Sequence, residues 1–230
     1  VCGYNPTYAG TAIFSRRRPC AVIFGFHAGL PADYEGRIVT ARYPDGCVIM
    51  IYAPAKPVAN LAFLKNLIAH VNIERDEHKP LVLMGDLNVP RGPSDISEVQ
   101  SWVESPFDYG DHRIVLETLI AALGRDPGQH QHDFTWYPQP NKANQARKIG
   151  MRIDYILHSP TLICTEFTTM HLTGGSDHRP IGATLKLPGS APPLPPCIAL
   201  APLTAILPPT SLPIVDETSI IQQFGRMVLP

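Results

Sequence analysis

The sequence predicts an α/β sandwich built largely from antiparallel strand pairs. Three observations carry this expectation. R-I-V-T-A-R-Y at 37–43 alternates in the period of two that a half-buried strand requires. C-V-I-M-I-Y-A at 47–53 follows across a P-D-G turn at 44–46, which makes the pair a hairpin whose second strand is buried on both faces. Further short apolar runs are interleaved with helical spacings in no regular β-α-β-α alternation, which excludes a doubly wound parallel sheet.

Taken in order, T-A-I-F-S at 11–15 and A-V-I-F at 21–24 read as strands flanking a turn-like R-R-R-P, with Arg16, Arg17 and Arg18 at its tip. After the 37–53 hairpin, Leu61, Leu64, Leu67, Ile68 and Val71 fall at helical spacing and predict a helix over 58–72. P-L-V-L-M-G at 80–85, apolar throughout and bounded by Pro and Gly, predicts a central strand. Helices are expected at 95–104, with Asp95 as N-cap and Glu98 completing a capping box, and at 112–123. Strands are expected at 152–157, 163–170 and 180–187. From Pro188 prolines become dense and charges few, and P-P-L-P-P at 192–196 predicts polyproline II. The expected organisation is therefore one domain over 1–187 followed by a disordered linker or tail over 188–230.

Charge excludes some partners. The formal net charge is −1, so any affinity for a polyanion has to come from a local patch. No apolar run approaches the length of a membrane-spanning helix, and no signal peptide is expected. The five cysteines are scattered and lack C-x-x-C spacing, which argues against a zinc site or a disulfide framework and for a reducing, intracellular compartment. The chain opens on Val1, so it is expected to be processed or a piece of something longer.

Three strings place chemistry where an apolar strand meets a loop. In G-D-L-N-V at 85–89, Asp86 can bind a hard cation or orient a water, and the Asn88 amide can donate to a phosphate oxygen. In S-D-H-R-P at 176–180, Asp177 and His178 can supply a metal ligand and an imidazole, and Pro180 restricts the backbone after them. In R-I-D-Y-I-L at 152–157, Asp154 sits inside an apolar strand pattern. A carboxylate is costly to bury there without a partner, and orienting a histidine would supply one. Each string also has a plain reading: a strand-to-loop turn, a surface loop, and an edge-strand carboxylate facing water. Arg147, Lys148 and Arg152 cluster beside the Asp154 strand and are candidates for phosphate contact, while Trp136 could stack on a base or serve the core.

Together with T-Y-A-G-T-A-I-F-S (7–15), E-G-R-I-V-T-A (35–41), I-Y-A-P (51–54) and F-T-W (134–136), these strings resemble the endonuclease/exonuclease/phosphatase superfamily, in its exonuclease III/apurinic endonuclease branch. The resemblance covers about residues 7–187. It implies a four-layer, DNase I-like α/β sandwich of two mixed, largely antiparallel sheets, with the site at one end and the opening strands missing. It also implies roles. Tyr52 would lie near the scissile phosphate, Asp86 would align the attacking water, and Asn88 would stabilise developing charge. Asp154 would orient His178 against the phosphate. Asp86, Asn88, Asp177 and His178 would form the environment of a Mg²⁺ or Mn²⁺ ion.

The sequence departs from the family in three places. The family's early Asn and metal-binding Glu have no counterpart here. Ala55 and Lys56 stand where an Asn usually follows I-Y-x-P. Met151 replaces a Trp common in the apurinic enzymes, which weakens the expectation of abasic-site specificity. The expected function is Mg²⁺-dependent hydrolysis of DNA phosphodiesters, with or without abasic sites, by a monomer or one module of a longer polyprotein such as a retroelement's, acting in the nucleus. Two alternatives stay open: an inactive remnant with weak DNA binding, and a same-fold phosphatase acting on lipid or inositol phosphates.

Overall fold

The computed structural model describes residues 9–76, 79–97, 109–131, 133–138, 149–170 and 176–187. The Pro-rich segment at 188–230, with Arg147 and Lys148, lies outside them. The elements run β1 (Ala21–Phe24), β2 (Ile38–Tyr43), β3 (Gly46–Tyr52), α1 (Pro57–Glu74), β4 (Leu81–Asp86), α2 (Tyr109–Leu123), β5 (Asp154–His158), β6 (Ile163–Thr169) and β7 (Ile181–Lys186). Strands β1 to β5 form one sheet in that spatial order, and β6 and β7 form a second. Only β3 and β4 run parallel, because α1 carries the chain from the end of one back to the start of the other. The remaining pairs are antiparallel, including the β2–β3 hairpin.

Strand periodicity sorts side chains into two cores. Ile49, Ile51, Leu81, Leu83, Tyr155 and Leu157 are buried on one face of the large sheet, against Leu64, Leu67 and Val71 of α1 and Leu116 and Leu119 of α2. Val48, Met50, Val82, Met84 and Ile156 turn to the other face and pack with Phe167, Ile181 and Ala183 of the second sheet. Helices, large sheet and small sheet are three of the four layers expected; the fourth is not among the described residues. The architecture is the mixed two-sheet α/β sandwich that the sequence predicts.

Three expectations are corrected. No strand forms at 11–15: Thr11 donates its hydroxyl to Gly36 O at 2.9 Å, but Phe14 is 64% exposed and no neighbouring strand pairs with this stretch among the described residues. No helix starts after Asp95. Residues Pro93–Asp95 make a 3₁₀ turn, Ile96 is extended and bridges Met151, and Ser97 N–H donates to Gly150 O at 3.0 Å. The rest of that expected helix, 98–104, lies outside the described residues. Finally, Cys20 is disulfide-bonded, whereas Cys47 and Cys164 are free.

The apolar stripe of α1 includes a polar residue that periodicity passes over. His70 is fully buried, with Nε2 2.8 Å from the Thr40 hydroxyl and Nδ1 accepting the His27 backbone N–H at 3.3 Å. Burial, then the nearby His27, lowers its pKa from 6.5 to about 4. Between those values the unfolded chain binds a proton that the folded chain refuses, so stability falls as pH drops through this window. Urea denaturation should show a loss of about 2 kcal/mol on going from pH 7 to pH 4.5. His70→Gln should remove most of that pH dependence, whatever it does to stability at pH 7.

Candidate active site

Tyr52, Asp86 and Asp154 occupy a single row across three strands, because Tyr52 pairs with Asp86 and Asp86 with Asp154. Directly paired residues share a face. By alternation this is the face of Met50, Met84 and Ile156, turned toward the second sheet. The row ends the sheet there, and each of its three members is partly exposed. Gly85 makes the row possible. Its φ is 132°, and a Cβ would sit 2.0 Å from Ile51 O, so only glycine lets β4 approach β3 at this point.

His178, in the loop before β7, reaches the row through Nδ1, 2.9 Å from Asp154 Oδ2. The partner expected for a carboxylate inside an apolar strand is therefore present. Burial opposes protonation of His178. The hydrogen bond to Asp154 and the charges of Asp154, Asp86 and Asp177 outweigh it and lift the pKa from 6.5 to about 9. At neutral pH the ring is an imidazolium. The Asp86 carboxyl is pushed well above its ordinary range, first by loss of solvent and then by repulsion from Asp154.

Asn88 takes a different part from the one expected. It adopts φ 54°, and its amide nitrogen donates to both Ala53 O and Asp86 Oδ2 at 2.9 Å, while its backbone N–H donates to Asp86 Oδ1 at 2.7 Å. Both amide hydrogens are committed, so Asn88 braces Asp86 instead of presenting a donor to a phosphate. Tyr52 rests on the Arg37 guanidinium, 4.9 Å from the ring centroid, and Arg37 is itself ion-paired with Glu35.

Asp86, Asp154 and His178 each offer a ligand atom, and these atoms lie within 4.8 Å of one another. The two carboxylate oxygens suit a hard divalent cation, which would relieve their mutual repulsion, while His178, charged and bonded to Asp154, lies beside them as a donor. Asp177 is not one of the three donors; its Oδ2 accepts the Trp136 Nε1–H at 3.0 Å. A second group, His27, His70 and Glu74, has similar spacing at the opposite end of the sheet. There Arg42 already binds Glu74 through two bonds of 2.8 and 2.6 Å, and both His70 nitrogens are engaged. That cluster is a satisfied structural network.

The segment F-T-W-Y at 134–137 contributes more than the sequence shows. Thr135 is 2% exposed, and its hydroxyl accepts the backbone N–H groups of Ile153 and Asp154, both at 3.1 Å. Tyr137 N–H donates to Asp177 O at 3.0 Å and Arg179 N–H to Thr135 O at 2.6 Å. The segment is thus a splint that sets the start of β5 against the Asp177–His178 loop. No periodic signal marks Thr135; only its neighbours in F-T-W point to it.

Arg152, expected at the DNA surface, is corrected by its surroundings. It is 3% exposed and donates to Asp95 at 2.9 and 3.0 Å and to Asp126 at 3.2 and 3.1 Å, with its guanidinium 4.6 Å from the Tyr155 ring centroid. Tyr155 in turn donates its hydroxyl to Val89 O at 2.7 Å. This buried network ties the loop after β4 to the start of β5, on either side of the acidic row.

Paired carboxylates beside a charged imidazole at the mouth of two packed sheets define a class of site suited to a cation and, through it, to an anion. The chain belongs to the endonuclease/exonuclease/phosphatase family, whose model matches residues 1–178. The family is generally divalent-metal dependent, in keeping with the donor set. Over 193 residues the chain is 27% identical to an exodeoxyribonuclease of Bacillus subtilis, spanning 78% of this chain and 75% of the relative. It is 29% identical to Recombination repair protein 1 of Drosophila melanogaster, over 78% of this chain and 29% of that one. Among solved structures it is similar to a Neisseria 3′ phosphatase bound to a product DNA hairpin, with TM-score 0.64 and 25% identity over 75% and 73% of the two chains. An AP endonuclease from Archaeoglobus fulgidus shares the fold, with TM-score 0.64 and 24% identity over 74% and 72%. These relatives place the chain in the exonuclease III/apurinic endonuclease branch.

Two outcomes test this description. In metal-free protein, NMR titration of His178 should give a midpoint near 9, and Asp154→Asn should move it down by a unit or more. Because that pKa is raised, the stability His178 contributes is full below about 6.5 and is lost as pH rises through the folded value. Arg152→Met should strand two buried carboxylates and cost about 3–5 kcal/mol in urea denaturation, whereas a surface DNA contact would leave stability unchanged.

Proposed function

We propose that the chain hydrolyses DNA phosphodiester bonds endonucleolytically, with Mg²⁺ (or Mn²⁺) as cofactor. One observation carries this reading: the Tyr52–Asp86–Asp154 row, with His178 locked to Asp154 at 2.9 Å. The DNA-processing relatives and the DNA-bound structural neighbour support DNA as the substrate. Met151, standing where the apurinic enzymes commonly carry Trp, favours nicking of ordinary duplex over strict abasic specificity.

The residues divide the work as follows. Asp86 and Asp154 would hold the cation, which would neutralise phosphate charge and that of the leaving oxygen when bound. Asp86, fixed by Asn88, is placed to orient an attacking water and accept its proton. His178 presents an imidazolium whose positive charge favours the more negative transition state. Asp154 keeps that ring charged and oriented through Nδ1. Tyr52 flanks Asp86 from the next strand and limits where the phosphate can sit. Arg147 and Lys148 are proposed as contacts to the flanking backbone of the DNA.

Metal-stripped protein is to be incubated with supercoiled plasmid, abasic duplex and inositol phosphates over a Mg²⁺ series. Mg²⁺-dependent nicked circles are expected, with Asp86→Asn and His178→Asn each about 10²–10³ slower. Absence of Asp86-dependent nicking sinks the proposal. Faster turnover of inositol phosphates than of either DNA replaces the substrate class.

A further inference from the structure

Trp136 is placed to act on the site without touching a reacting atom. Its indole nitrogen is a donor only, and a carboxylate is an acceptor only, so the 3.0 Å bond from Nε1 to Asp177 Oδ2 has one possible direction. The backbone holds the pair together independently of that bond. Tyr137 N–H donates to Asp177 O at 3.0 Å, and Trp136 and His178 are bridged. On the other side, Trp136 N–H and Met151 O are 2.9 Å apart, as are Met151 N–H and Trp136 O, so the indole stands on the same splint that registers Asp154. Its partner, Asp177, adjoins His178 in sequence and is exposed. The carboxylate lies outside the three-donor group of Asp86, Asp154 and His178, yet its charge acts on both Asp86 and His178.

Two other positions are open to a carboxylate so placed. It could turn to solvent, where its field is screened, or compete with Asp154 for the imidazole of the next residue. The indole bond disfavours both, holding one carboxylate oxygen on the side of the group although the residue is exposed. Resting on the reading of this site as cation-dependent, we propose that Trp136 is a positioning residue that holds Asp177 beside the Asp86–Asp154–His178 group, so that its charge strengthens attraction for a divalent cation while leaving His178 to Asp154.

The test is Mn²⁺ binding by the full chain without DNA, measured by titration calorimetry on wild type, Trp136→Phe, Asp177→Asn, the double variant and Asp86→Asn. Phenylalanine keeps the ring and removes the donor. Asp177 is exposed, so its amide variant leaves the fold undisturbed. Trp136→Phe and Asp177→Asn are each expected to weaken Mn²⁺ binding about threefold to fivefold. The double variant should be no weaker than Asp177→Asn, because the indole acts only through that carboxylate. In labelled protein, the Trp136 Nε1–H resonance should shift on Asp177→Asn and stay in place on Asp86→Asn. Wild-type affinity in either single variant, or an equal further loss from Trp136→Phe in the Asp177→Asn background, overturns the proposal. Wild-type Mn²⁺ binding that Asp86→Asn does not reduce rejects the cation-site reading itself, and this proposal with it.

Discussion

Asp86 and Asp154 face each other at paired positions of adjacent strands, and like charges directly opposite one another destabilise a sheet. The row is tolerated because the groups around it are set to offset that repulsion. Asn88 gives Asp86 one side-chain and one backbone donor, and His178 gives Asp154 a charged ring. What remains is a concentrated negative field at the mouth of two sheets. Loss of solvent and then that field raise the Asp86 carboxyl, and against burial the field keeps His178 protonated. The same repulsion that costs stability makes the site receptive to a cation.

Holding such a row requires the rest of the molecule to be stiff. The large sheet is buried on both faces, by α1 and α2 on one and by the small sheet on the other, so the strand ends cannot splay to relieve the charge. Gly85 brings β4 against β3 at the row itself. The Arg152 network ties the loop after Asp86 to the residues just before Asp154, and Thr135 fixes the first two backbone amides around β5. Arg152 pairs with Asp95 and Asp126, and Arg91 pairs with Glu117 at 2.7 Å and with Asp126 at 3.3 Å, so two arginines face three carboxylates. The scaffold's arginines are thus committed to the scaffold's own carboxylates.

Much of this was legible in the chain. Each strand of the large sheet appears as an apolar or alternating run, and Asp86 and Asn88 stand out because polar residues follow such a run abruptly. Asp154 stands out as a carboxylate inside an apolar pattern. The residues that escaped notice share a cause: their role is defined by partners distant in sequence. Arg152 reads as a surface cation until Asp95 and Asp126 are placed around it. Asp95 reads as a helix cap for the same reason, since its carboxylate has a stronger partner than a helix amide. His70 interrupts an apolar helix face and makes sense only beside Thr40 and His27. Thr135 carries no periodic signal, because it bonds to backbone instead of packing in a core.

The commitment of the scaffold's arginines bears on how an anionic substrate is held. Near the row, Arg37 is engaged with Glu35 and the Tyr52 ring and Arg152 with its two aspartates, while Arg179 lies over the Tyr137 ring with Asp133 3.9 Å away and its buried Nε unbonded among the described residues. With a formal net charge of −1 there is no surplus of positive field from the chain as a whole. On the proposed function, phosphate charge at the scissile position would be met chiefly by a bound cation and the His178 imidazolium. These would also be the charges that favour the transition state, so binding at the reacting centre and catalysis would draw on one set of groups. Interactions made by such shared groups raise turnover only to the extent that they strengthen as the phosphate becomes more negative. A site acidic by construction would serve that end, because it would repel a phosphate until a cation is present and attract it most strongly when its charge is greatest.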